Sequence, residues 1–99
     1  MAKITISPEA DQDTADIVAL LTEEAGANAA RRYRRDFDRL FERLAMFPRS
    51  GASRTHLGRS IRIGVVTPYV AVYELDNDHV IVLRVLDGRR NITRRLIRQ

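Results

Sequence analysis

Ile61-Arg62-Ile63-Gly64-Val65-Val66, Thr67-Pro68, Tyr69-Val70-Ala71-Val72-Tyr73-Glu74-Leu75, Asp76-Asn77-Asp78-His79 and Val80-Ile81-Val82-Leu83-Arg84-Val85-Leu86 follow one another without a gap. Three runs rich in β-branched and aromatic residues are separated by two short groups of turn formers, which predicts strands over 61–66, 69–75 and 80–86. The connections are too short for a parallel crossover, so the strands form an antiparallel meander. In the middle run Tyr69, Ala71, Tyr73 and Leu75 share one face while Val70, Val72 and Glu74 share the other. The last run is apolar on both faces except for Arg84. One face of this sheet is read as resting on helices.

Those helices come from the residues before it. Lys3 to Ser7 alternates, with Ile4 and Ile6 on one side, and reads as a short half-buried strand. Ser7 is placed to cap a helix whose first residue is Pro8, where a missing N–H costs nothing, and Glu9 and Asp11 suit the positive end of its dipole. Ala10, Thr14, Ile17, Val18, Leu21 and Ala25 recur at helical spacing. Gly26 suits the helix end, and Asn28 is read as the cap of a second helix antiparallel to the first. In that helix Tyr33, Phe37, Leu40, Phe41, Leu44 and Phe47 form one apolar stripe that reads as core. Arg32 with Asp36 and Arg34 with Asp38 stand four apart as prospective surface pairs, each contributing about 0.2–0.5 kcal/mol. Pro48 stops the helix. Residues 48–60 read as a loop with Leu57 tucked inward, and residues 91–98 as a final strand or a helical turn.

Ninety-nine residues suit one domain spanning 1–99, of α+β class: N-terminal strand, antiparallel helical hairpin, three-stranded meander. Without cysteine there is neither a disulfide framework nor a thiolate nucleophile or ligand. The first residues hold no apolar run long enough for a signal peptide or a membrane span, which points to a soluble, cytoplasmic protein. Residues 1–30 carry one lysine against six acids (−5), and residues 31–99 carry sixteen arginines against seven acids (+9), giving the net +4. An acidic partner is implied, either nucleic acid or an acidic protein segment. His56 and His79 lack metal-ligand spacing, no serine has a local triad, and Gly51, Gly58 and Gly64 lack phosphate-loop spacing. No metal or cofactor is expected.

Several stretches, in order, resemble the RelE/ParE toxin superfamily across nearly the whole chain. They are Ile6-Ser7-Pro8-Glu9-Ala10 with Ile17, the inter-helix Gly26, Phe47-Pro48-Arg49-Ser50-Gly51 with Leu57 and Ile61-Arg62, Tyr69-Val70-Ala71-Val72-Tyr73, and Val82 through Arg90 ending in Gly88-Arg89-Arg90. Asp87 stands where the superfamily often has histidine. The resemblance implies a cytoplasmic toxin of a type II toxin–antitoxin system, of the kind associated with plasmid stabilization, in a hetero-oligomer with its antitoxin.

The superfamily's RelE branch cuts messenger RNA on the ribosome. Such chemistry needs a base, an acid and cations for the developing charge. RelE-like nucleases usually place arginine after the first tyrosine of the middle strand, where this chain has Val70. They also commonly carry a tyrosine or histidine near the C-terminus, and residues 80–99 contain neither. Arg62, Arg84, Arg89 and Arg90 would bind phosphate but would not move protons. The resemblance therefore favours the ParE branch, a non-enzymatic inhibitor of DNA gyrase neutralised by a ParD-like antitoxin; a ribosome-dependent endoribonuclease is the alternative. The candidates for contact with gyrase and its bound DNA, or with nucleic acid, are Arg62, Arg84, Arg89, Arg90, Arg94 and Arg95. For the antitoxin they are Ile17, Leu20, Leu21, Tyr33 and Phe37, on a hairpin whose edges leave apolar surface for a helix or strand to cover.

Overall fold

The computed structural model describes residues 2–98. Its elements are β1 (Lys3–Ile6), α1 (Pro8–Ala25), α2 (Ala27–Met46), β2 (Ala52–Ser53), β3 (Ile61–Val66), β4 (Tyr69–Asp76), β5 (His79–Asp87) and α3 (Arg94–Ile97). The strands form one sheet in the order β1-β5-β4-β3-β2. The meander forms as the turn chemistry requires: Val66 pairs with Tyr69 across Thr67-Pro68, and Asp76 with His79 across Asn77-Asp78, where Asn77 takes a φ of 54°. β1 lies parallel to β5, Lys3 opposite His79 through Ile6 opposite Val82, and the helical hairpin followed by β2, β3 and β4 provides the long connection that a parallel pair demands.

Ser7 caps α1 as its sequence context requires, its Oγ accepting from the Ala10 N–H at 2.9 Å. The expected cap at Asn28 is overturned. A single residue, Gly26, joins the helices at a φ of 90°, so α2 already begins at Ala27. Asn28 lies inside the first turn and accepts from Arg31. The Arg32–Asp36 and Arg34–Asp38 pairs do not close. Among the described residues the ion pairs are Arg84–Asp13, Arg89–Asp87 and a long Arg49–Asp78.

Both faces of the sheet are covered. On one, Phe37, Leu40 and Leu44 of α2 and Ala10 of α1 pack on Tyr69, Ala71, Tyr73, Val80, Val82 and Val85. On the other, Leu57, Ile61, Val70, Val72, Leu86 and Ile97 make a second cluster, so Leu57 tucks inward and the C-terminal residues form a helical turn that roofs this face. The apolar stripe of α2 ends one residue early. Phe47 takes the C-cap position, leaves the helical path and is 60% exposed, which corrects its assignment to the core. The 48–60 loop contributes the two-residue β2, paired with Ile63 and Arg62 of β3.

Candidate functional site

The register of β1 against β5 ends at Val82, after which the outer edge of β5 has no strand beside it. Ser7 closes the junction: its N–H donates to the Val82 carbonyl at 2.9 Å and its hydroxyl to the Leu83 carbonyl at 2.8 Å. Here β5 also carries a bulge. Tyr73 pairs with Val82 and Val72 with Arg84, so Leu83 has no partner on β4. The extra residue shifts the alternation, which lets Val80, Val82 and Val85 all face the helices.

Past the bulge, α1 takes over the edge that β1 has left. Asp13 Oδ2 accepts from the Val85 N–H at 3.0 Å, satisfying a ladder donor that would otherwise be unpaired. The same carboxylate holds Arg84 with two contacts, Nε–Oδ2 at 2.7 Å and Nη2–Oδ1 at 3.0 Å, and Arg84 Nη1 donates to the Leu96 carbonyl at 2.8 Å. Arg84 is held more firmly protonated by its hydrogen bond to Asp13, against a smaller opposing effect of desolvation. Its side chain is 14% exposed, so its guanidinium is committed to joining β5, α1 and α3.

Beside this clamp a groove of about 310 Å³ runs between α1 and the end of β5. Ile17 and Leu20 form its apolar wall, Asp16 and Glu24 its acidic margin, and Arg89 and Arg90 its basic end. Leu20 is 47% exposed. Asp87 turns back on Arg89, accepting from Nη2 at 2.6 Å, from Nε at 2.9 Å and from the Arg89 backbone N–H at 2.9 Å. The side-chain bonds from Arg89, followed by its backbone N–H, lower the Asp87 carboxyl to about 2. Arg90 makes no ion pair among the described residues. Tyr69 lies at the floor with its hydroxyl pushed up, by desolvation first and then by Asp87. Its ring meets Tyr33 edge-on at 5.8 Å and Phe37 at 5.9 Å.

The structure therefore brings Ile17, Leu20, Arg84, Arg89 and Arg90 to one place. Leu21 and Tyr33 are half-buried against the main core, and Phe37 is fully buried, so Phe37 shapes the hairpin from beneath. Arg62 is elsewhere, its Nη1 donating to the carbonyls of Gly51 at 2.8 Å and Arg49 at 3.1 Å. Arg94 Nε donates to the His56 carbonyl at 3.1 Å, and Arg95 is exposed. Asp13 was missed as a site residue because its role depends on where β1 stops, which residue types on α1 do not report. Among the described residues no three His, Asp or Glu side chains converge as metal ligands, and no helix is long and apolar enough to cross a membrane.

Comparison with known proteins places this arrangement. Residues 4–92 match the family model described as the ParE toxin of type II toxin–antitoxin systems, parDE. Toxin ParE3 of Caulobacter vibrioides (strain ATCC 19089 / CIP 103742 / CB 15) is 35% identical over 74 residues, which covers 75% of this chain and 74% of that protein. A solved structure titled "Chromosomal ParDE TA system from P. aeruginosa" shares the fold with a TM-score of 0.73 at 18% identity, over 86% of this chain and 94% of that one. The family match runs from β1 through the Arg89-Arg90 turn and takes in the whole groove, and with it the chain belongs to the ParE toxin family of type II toxin–antitoxin systems.

Proposed function

We propose that this chain inhibits DNA gyrase, in contact with the enzyme and its bound DNA, by binding alone, and that a ParD-like antitoxin neutralises it in a cytoplasmic hetero-oligomer. The reading is carried by the α1–β5 groove, where an apolar wall of Ile17 and Leu20 adjoins the cations Arg89 and Arg90 with no histidine among the lining residues. An amphipathic antitoxin helix seated on Leu20 would also cover Arg90, so one partner would exclude the other from the same cations. Arg94 and Arg95 of α3 are exposed and would add further cations for a bulky target. Arg84 contributes by fixing α1 and α3 around the groove, and Arg62, Leu21, Tyr33 and Phe37 by holding the frame.

Two observations weigh against the ribonuclease alternative. Val70, where RelE-like nucleases usually have arginine, is buried among Leu57, Ile61 and Ile97. The four arginines such a site would use are divided, Arg62 in one depression and Arg84, Arg89 and Arg90 in another. The purified chain is expected to block gyrase supercoiling or to accumulate gyrase-cleaved DNA, with reversal by its antitoxin. Inertness in both assays, or codon-positioned cleavage of messenger RNA in a translating extract, would overturn the proposal.

A further inference from the structure

A second basic depression lies beside the 47–53 loop, where β3 begins and β4 ends. Two side chains tie that loop to the sheet. The buried Tyr73 hydroxyl donates to the Pro48 carbonyl at 2.7 Å and accepts from the Gly51 N–H at 3.0 Å, while Arg62 Nη1 holds the carbonyls of Arg49 and Gly51. Neighbouring backbone is fixed too, since Leu75 N–H donates to the Ser60 carbonyl at 3.0 Å and Ser53 pairs in register with Arg62. Within this frame Arg49, Arg59 and Arg62 line one cavity of about 290 Å³ together with Ser53, Ser60 and Asn77.

The charges here are poorly compensated. Arg62 is half-buried and has no carboxylate partner among the described residues, a costly state for a cation. Both of its hydrogen bonds use Nη1, which leaves Nη2 and Nε to a ligand. Arg49 meets Asp78 only at 3.7 Å, with both side chains mostly in water, where such a contact contributes little. A carboxylate is satisfied by a single guanidinium fork, whereas three forks with two hydroxyls and an amide match the larger acceptor set of a phosphate. The cavity is at the small limit of ligand pockets, so it suits one such group rather than an extended molecule.

We propose that this depression is a phosphate-binding site, formed by Arg49, Arg59 and Arg62 with Ser53 and Ser60, separate from the α1–β5 groove and independent of whether the chain acts on gyrase. The phosphate comes either from a free phosphorylated solute or from the backbone of a nucleic-acid strand. The test is an amide NMR titration of the isolated chain with inorganic phosphate and, separately, with a short single-stranded oligonucleotide at fixed ionic strength. Saturable shifts are expected at Ser53, Ser60, Arg62 and Asn77. The exposed double variant Arg49→Ala/Arg59→Ala should weaken binding at least tenfold, while Arg34→Ala/Arg35→Ala, which removes the same charge from α2, should change it less than twofold. Tighter binding of the oligonucleotide at the same amides, falling steeply when the titration is repeated at higher salt, identifies the strand as the source, and equal affinity per phosphate identifies the solute. No saturable shift at these amides, or equal weakening by the two double variants, overturns the site.

Discussion

Arg84 follows the β5 bulge, and its guanidinium reaches the Asp13 carboxylate of α1 and the Leu96 carbonyl of α3. With the two side chains 14% and 15% exposed, the pair is shielded enough that losing one partner leaves the other charge stranded. Asp13→Ala removes the partner of Arg84 and the acceptor of the Val85 N–H together. It should destabilise the fold by about 3 kcal/mol, read as a lower urea midpoint at an unchanged slope. A shift under about 0.5 kcal/mol, the range of ordinary surface changes, would reduce the clamp to a surface contact. Arg84 was visible in the sequence as a lone charge in an apolar strand. Its partner was not, because Asp13 lies 71 positions away and is chosen by the packing of α1.

At the level of elements, the 47–53 loop shows how a side chain can fix backbone that makes little regular structure of its own. A Cβ added to Gly51 would meet the Tyr73 hydroxyl and lie 2.5 Å from the Ile63 carbonyl, so the loop approaches the sheet more closely than any other residue type allows. Gly51→Ala should cost about 1–3 kcal/mol through overpacking. Tyr73→Phe should cost about 1–3 kcal/mol by stranding the Gly51 N–H and the Pro48 carbonyl. Both detach the same loop, so the double variant should cost clearly less than the sum in a denaturation cycle. Additive losses would show that the two contacts act separately. The strands, both helices and the Ser7 cap were legible because each depends on local periodicity or chain sterics. The loss of the Asn28 cap, the exposure of Phe47 and the formation of β2 depended instead on how tightly Gly26 reverses the chain and on where the loop docks.

For the whole molecule, the consequential arrangement is the meeting of α1 with the end of β5, which sets an apolar wall beside Arg89 and Arg90, the latter without an ion pair among the described residues. Leu20 offers a direct probe because it is 47% exposed and bears little of the core. Leu20→Asp should leave thermal stability nearly unchanged and weaken binding of the cognate antitoxin at least tenfold by calorimetry, the loss typical of a central interface residue. Unchanged affinity would move the antitoxin contact away from this groove.

The sequence by itself determined the α+β class, the helical hairpin, the meander and the family resemblance, because periodicity, capping and turn chemistry act over a few neighbouring residues. It also determined that the chain is rich in arginine. Tertiary structure alone decided how those arginines are used: Arg84 is held by Asp13, Arg89 by Asp87 and Arg62 by two loop carbonyls, while Arg90 makes no ion pair among the described residues. Composition gives the number of charges, but whether a charge is available to a partner depends on what lies within about 4 Å of it. The chain's path through space brings those neighbours together.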